Sequence, residues 1–385
     1  MPKNKTLAFF IGFIITSSRI LPELPISTTI TVPICIFIIL VFNFLISFSS
    51  RKKNIPGLLW TYVFVILWSS LINNEEYPFN NFFVGILILV VPLSSAVVIN
   101  PTKKLYYTSF LDGIVKGAIF TLIYACAFGR YSENVLGRRF YCGSITVSVI
   151  TILLLLVFSY GCVYFKNNKI KYGSYILFAI IMALISISKS ALISIIVIFF
   201  VFAIFKGNLK RLLPAVILVG ILFLIFVSNE FIATIQDYID GNGLKSFTGR
   251  DVIWEITISL GLERPLFGHG YNAIALKLDG LTHLENLNQA HNTFVESFYN
   301  LGFIGTIILI ILFLYPIKMC IQSRKLISND NNLMLSFMIL IIFLLRSFTE
   351  SGCAQASNLI EVSLFFIVVC YIINFFKIKT NSEYD

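Results

Sequence analysis

Apolar runs, each near the ~20 residues that a helix needs to cross a bilayer, recur from one end of the chain to the other, separated by short polar stretches. They predict about twelve spanning helices, over 7–23, 27–49, 57–73, 82–99, 105–129, 142–165, 172–187, 190–206, 211–228, 294–317, 332–348 and 357–376. Recurrence along the whole chain separates this pattern from a single signal peptide. The seventh and eighth runs are divided only by Ser186, Ser188, Lys189 and Ser190. Two helices fit there better than one, because about 35 apolar residues in a single helix would overshoot a hydrocarbon layer roughly 30 Å thick.

The expected fold class is therefore an all-α polytopic membrane protein. Residues 1–228 form the first nine helices, and 229–293 form one large loop with short helices of its own. Residues 294–385 supply the last three helices and a short tail. Composition agrees: 57% hydrophobic and 12% charged residues over 385 positions exclude a soluble domain.

Charge then orients the helices, since short cytoplasmic loops collect Lys and Arg. Lys3, Lys5, Arg51 to Lys53, Lys103, Lys104, Lys166, Lys169, Lys171, Lys206, Lys210, Arg211, Lys318, Arg324, Lys325, Lys377 and Lys379 fall on alternate connections. This places both termini in the cytoplasm and the 229–293 loop outside. The net charge of +10 is then a topology signal and gives no reason to expect a nucleic-acid partner. The seven cysteines lie mostly inside spans and read as small apolar residues, with no CxxC pair and no clustered metal ligands.

Ten basic residues remain on the side where they should be scarce: Arg19, Arg130, Arg138, Arg139, Lys189, Lys245, Arg250, Arg264, Lys277 and Arg346. Lys189 and Arg346 are the most telling, because they sit in very short external connections. Snorkelling, or pairing with an acid such as Glu350, accounts for any one of them. Taken together they suggest an external anionic ligand. Inside the spans, Asp112 and Lys116 stand four apart and can neutralise each other on one helix face, while Glu361 has either the external site or Arg346 to face.

The large loop carries the densest chemistry. Thr248-Gly249-Arg250-Asp251, followed by Val252, Ile253, Ile256 and Leu260, has the pattern of a capping box opening an amphipathic helix, with Thr248 at the N-cap and Asp251 at N3. Arg250 would then join a forked guanidinium to free backbone N–H groups and the positive end of the helix dipole, a combination suited to a phosphate or diphosphate. A solvated surface arginine is the alternative. Trp254 reads as a packing residue or interface anchor before a sugar platform. Pro265 to Tyr271 is a glycine-rich turn in which Gly268, Gly270 and Ala273 superficially match a dinucleotide fingerprint. No strand precedes it, so a cofactor reading is rejected.

The three histidines, 269, 283 and 291, all fall in this loop. His291 is followed by Asn292, Thr293 and Glu296 in a second capping-box pattern, which perches it at the external mouth of the tenth span. An imidazole there can take a proton from a sugar hydroxyl. The plainer alternative is a histidine that bonds only to loop backbone. His283, His291 and Glu285 as metal ligands would be a nonspecific pattern.

Thr248-Gly249-Arg250 with Trp254, then Pro265 and Gly268-His269-Gly270, then Ala290-His291-Asn292-Thr293 and Gly302-Phe303-Ile304-Gly305, occur in an order and spacing that resembles the O-antigen ligase and polymerase superfamily of bacterial membrane enzymes. The likeness covers roughly residues 180–310. It implies a metal-independent, inverting transfer of glycan from undecaprenyl diphosphate at the outer side of the cytoplasmic membrane, with no cofactor. By that resemblance Arg250 holds the diphosphate and His291 activates the acceptor hydroxyl. Lys189, in Ser188-Lys189-Ser190, stands where the family usually has arginine; the charge is kept and the bidentate fork is lost. Arg138, Arg139, Phe140 and Gly143 resemble the family's external Arg-Phe-x-Gly segment. Arg346 joins Arg250, Lys189, Arg138 and Arg139 in the expected diphosphate-binding set.

Two functions from that superfamily and one from another class follow. The first is a polysaccharide repeat-unit polymerase of the Wzy type, acting on O-antigen or capsular repeats. The second is an O-antigen ligase that delivers the same donor to lipid A core. The third is a transporter or lipid-linked oligosaccharide flippase, for which the large external loop would be surplus. Expected partners are undecaprenyl-diphosphate-linked oligosaccharides and membrane lipids, with a chain-length regulator and a flippase as protein partners of a polymerase.

Overall fold

The structure is a computed structural model and describes residues 2–18, 20, 38–39, 41, 56–72, 104–134, 137–142, 145–186, 188–206, 250–274, 289–352 and 359–382. The expected spans 82–99 and 211–228, nearly all of 27–49, and the loop segments 229–249 and 275–288 lie outside these residues. So do Thr248 and His283.

The described chain is helical apart from one hairpin. In order it forms α1 (Pro2–Ser17), α2 (Gly57–Ile72), α3 (Lys104–Phe128), β1 (Arg130–Asn134), β2 (Gly137–Tyr141), α4 (Val147–Tyr164), α5 (Lys169–Ile185), α6 (Lys189–Lys206), α7 (Arg250–Gly261), α8 (Thr293–Gln322), α9 (Arg324–Asn329), α10 (Asn331–Ser347) and α11 (Leu359–Ser382). Among the described residues, four helices are long and apolar enough to cross a membrane: Lys104–Phe128, Val147–Tyr164, Thr293–Gln322 and Ile360–Lys379. Shorter apolar helices include Gly57–Ile72, Ser190–Lys206 and Asn331–Ser347. An apolar chain in lipid must satisfy its backbone N–H and C=O groups internally, and the helix does this within one segment.

The break expected between the seventh and eighth runs is present. Helix α5 ends at Ile185 with Ser186 as its cap, and α6 begins at Lys189. The β1–β2 hairpin was not expected: β1 and β2 pair antiparallel, with Glu133 opposite Arg138 and Ser132 opposite Arg139, and the rest of the described fold is compatible with an all-α membrane protein. Its five-residue strands, Arg-Tyr-Ser-Glu-Asn and Gly-Arg-Arg-Phe-Tyr, carry no apolar alternation.

Two packing devices hold the bundle. Helices α1 and α3 cross at small residues: a Cβ added to Gly12 would strike the backbone of Phe110, and one added to Gly113 or Gly117 would strike the backbone of Phe9 or Phe13. Such close approach lets hydroxyls act between helices. Thr16 Oγ1 donates to Ile114 O at 3.0 Å and Thr121 Oγ1 to Thr16 O at 3.1 Å. Helices α4, α10 and α11 form the buried centre, where Tyr107 stacks on Tyr371 with ring centroids 3.6 Å apart and meets Ser336 Oγ at 2.7 Å. The Asp112–Lys116 pair forms as its spacing requires, at 2.8 Å.

Candidate active site

The site is assembled from one helix start, one spliced loop and one interhelical turn. Arg250 is the first described residue of helix α7, and its side chain is half-buried at 30% exposure. The apolar face of α7 places Ile253 in a small cluster with Ala273, Ala290 and Tyr299. Trp254 Nε1 donates to Ala290 O at 2.9 Å, which ties α7 to the residue preceding His291.

The glycine-rich turn has a structural task. In an unbroken helix the Tyr299 and Asn300 carbonyls would accept from the N–H groups of Phe303 and Ile304. Helix α8 is broken at Gly302 (φ 67°, ψ −168°). The freed groups are taken up in pairs by residues 265–270. His269 N–H donates to Tyr299 O and Gly270 N–H to Asn300 O, both at 2.9 Å. Phe303 N–H donates to Pro265 O at 2.7 Å and Ile304 N–H to Leu266 O at 3.3 Å.

Each glycine has a reason to be there. A Cβ on Gly302 would strike the backbone of Leu266 and Phe267, and one on Gly268 (φ 70°) would meet the backbone of Asn300 and Leu301. Gly270 also has positive φ, and Gly305 packs one turn beyond the break against Leu301. His269 is buried, stacks on Tyr299 at 4.5 Å and directs Nε2 to Leu260 O at 2.9 Å. Ser69 of α2 closes the splice, with Oγ 2.5 Å from Phe267 O and 3.0 Å from Asn300 O. The loop is thereby locked to the helix that carries His291 at its mouth.

His291 has φ 51°, a conformation that side chains rarely adopt. Asn292 next to it is the N-cap of α8, its Oδ1 accepting from Phe294 N and Val295 N. This differs from the expected Thr293-to-Glu296 capping box. The Thr293 hydroxyl is drawn away to Glu350 O at 2.8 Å, and the buried Glu296 reaches back to Ala290 N–H at 3.0 Å. Asn292 N–H donates to Ser351 Oγ at 3.1 Å.

The residue that sequence reasoning missed at this site is Glu350, in the turn after α10. Its Oε2 lies 3.4 Å from His291 Nδ1 and its Oε1 3.9 Å from an Arg250 guanidinium nitrogen. Burial acts to raise the Glu350 pKa, but the hydrogen bond from His291 and the charges of Arg346, His291 and Arg250 outweigh it and hold the carboxyl below the usual carboxylate range. Glu350 was expected only as an acid with which an external basic residue such as Arg346 could pair; α10 ends at Ser347. Glu350 N–H instead donates to Arg346 O at 2.7 Å, and the turn carries the side chain away toward His291.

Arg346 is 2% exposed and directs its guanidinium to Glu361 Oε1 and Ser148 Oγ, both at 2.7 Å. Of the two roles open to Glu361, the Arg346 contact is the one formed. Gly352 is required for it, because a Cβ there would overlap the Glu361 carboxylate. The structure thus brings together Arg250, His291, Glu350 and, from behind, Arg346. Lys189 is the first residue of α6, and Arg138 and Arg139 lie in β2. Their backbones are placed there.

No curated protein matches the chain. Residues 174–310, a stretch that includes Arg250, the spliced loop, His291 and the Gly302 break, match the family model Wzy_C, described as O-antigen ligase.

Proposed function

We propose that the protein is a membrane glycosyltransferase that polymerises polysaccharide repeat units, moving a growing O-antigen or capsular glycan from one undecaprenyl diphosphate carrier to a hydroxyl of another lipid-linked repeat. The observation that carries this reading is the meeting of Arg250, Glu350 and His291 within 3.9 and 3.4 Å contacts, contributed by three separate parts of the chain. Fixed cations beside an imidazole are what such a transfer requires. Breaking the sugar–diphosphate bond builds negative charge on the leaving group. A guanidinium held beside the imidazole through Glu350 is prearranged to stabilise that charge.

His291 takes the proton of the acceptor hydroxyl as its oxygen attacks the anomeric carbon from the face opposite the departing diphosphate. One C–O bond forms, one breaks, the proton ends on the imidazole and the electron pair on the diphosphate. The donor and the proton balance need no metal. Lys189, Arg138 and Arg139 extend the cationic surface along the donor's path, and Arg346 supports it electrostatically through Glu350. In this reading the chain has about twelve spans, both termini in the cytoplasm and residues 229–293 facing the periplasm of the cytoplasmic membrane. A flippase and a chain-length regulator act beside it.

A deletion strain complemented with wild type, R250A or H291A, with membrane insertion checked by immunoblot, tests the proposal. Polymerase action predicts single-repeat lipopolysaccharide or single-repeat glycan in the deletion and in both variants. Carrier-linked polymer with bare lipid A core would identify a ligase instead, and unchanged long polymer from both variants would remove the site.

A further inference from the structure

We infer that Glu350 is the positioning residue of this site, holding His291 in the tautomer with hydrogen on Nδ1 so that Nε2 carries the lone pair that receives the acceptor's proton. The inference deepens the transfer reading above and rests on it for its catalytic consequence. Its structural content stands on the contacts alone.

An ionised carboxylate only accepts hydrogen bonds, so the ring nitrogen that faces it must donate. The nitrogen facing Glu350 Oε2 is Nδ1, at 3.4 Å, which leaves Nε2 as the acceptor. The ring is part-exposed, at 27%, whereas the buried His269 spends its Nε2 on Leu260 O. Glu350 is itself fixed on both sides. Its N–H donates to Arg346 O at 2.7 Å and its carbonyl accepts from the Thr293 hydroxyl at 2.8 Å. The next residue, Ser351, accepts from Asn292 N–H at 3.1 Å.

The 350–351 turn therefore holds the C-terminal side of His291 at the Asn292 N–H and the Thr293 hydroxyl, and the His291 ring at a third point. These bonds hold a residue with φ 51°, a conformation that side chains rarely adopt. The charged groups facing the carboxylate are Arg250 from α7, His291 at the mouth of α8 and Arg346 from α10, with Glu361 of α11 behind Arg346. A carboxylate in this place also stabilises the imidazolium formed when the proton is taken, and returns the ring to the same tautomer when it leaves.

The test uses full-length protein in lipid nanodiscs with 15N-labelled histidine, of which the chain has three; H291Q assigns the resonances. Expected for wild type is His291 hydrogenated at Nδ1 and bare at Nε2, and for E350A a loss of that preference. Transfer is followed in parallel with lipid-linked repeats extracted from the deletion strain, and E350A is expected to slow turnover about 100-fold, within the range for a misdirected general base. Wild-type His291 hydrogenated at Nε2 overturns the inference, and this result is decisive even if E350A does not insert. An unchanged tautomer in E350A also overturns it. If H291A and R250A transfer normally, the transfer reading falls while the tautomer measurement still judges Glu350.

Discussion

His291 Nδ1 and Glu350 Oε2 lie 3.4 Å apart, although the two residues stand 59 positions apart in the chain and on opposite sides of α8 and α10. The contact joins the start of one apolar helix to the turn that leaves another. It makes the start of α8 and the end of α10 a single unit, to which α7 is attached through Arg250 and Trp254.

Acid should loosen this unit. Glu350 has a folded pKa below its ordinary value near 4.5, so its contribution is complete above that value and is lost as pH falls through the depressed folded one. Melting temperature in detergent, followed from pH 6 to pH 3, should fall faster for wild type than for E350Q. The two curves should converge at the acid end. Parallel curves would show that the Glu350 contacts add nothing to stability.

The Arg346–Glu361 pair makes a separate prediction. Removing one partner of a buried ion pair leaves the other uncompensated, at a cost of roughly 3–5 kcal/mol. R346A should therefore melt far below wild type, and R346A/E361L should recover much of the loss. G352A should resemble a milder R346A, because its methyl displaces the Glu361 carboxylate. Full stability of R346A would mean that the pair is not the reason for the arginine.

At the splice, G302A cannot keep φ 67° with ψ −168°, a region that is essentially glycine's, and its methyl would strike the Leu266 backbone. It should lose about 2 kcal/mol or more, together with protection from proteolysis in residues 262–274. G173A is the control, since a Cβ there makes only an ordinary contact with the Phe165 ring. It should be neutral or slightly stabilising. Equal behaviour of the two variants would contradict the splice.

The helices were legible because apolar length alone defines them. The run read as 105–129 is the helix Lys104–Phe128, and 190–206 is Lys189–Lys206. The Ser186–Ser188 interruption was legible for the same reason, as the only polar break in a stretch too long to span once. Gly302 was quoted as part of a motif, yet its task was hidden: Leu301, Phe303 and Ile304 read as continuous helix, and the break exists only because residues 265–270 supply replacement partners. At the site, Arg250 and His291 stood out by residue type and helix-start pattern. Glu350 did not, because it read only as an acid near Arg346, and its contact with His291 depends on the turn that follows Ser347. Its cue was present in the sequence: an acid just past the end of a span, beside an arginine that had a second acid, Glu361, within reach.

The central claim is that Arg250, Glu350 and His291 act together on a lipid-linked diphosphate. The most direct measurement is glycan transfer by purified protein in proteoliposomes, supplied only with lipid-linked repeats extracted from the deletion strain. Wild type should lengthen the glycan without added metal or a second protein. H291A should be slower by about 100-fold or more, and R250A should lose turnover to a similar degree. Chain growth at the wild-type rate by both correctly inserted variants would contradict the account.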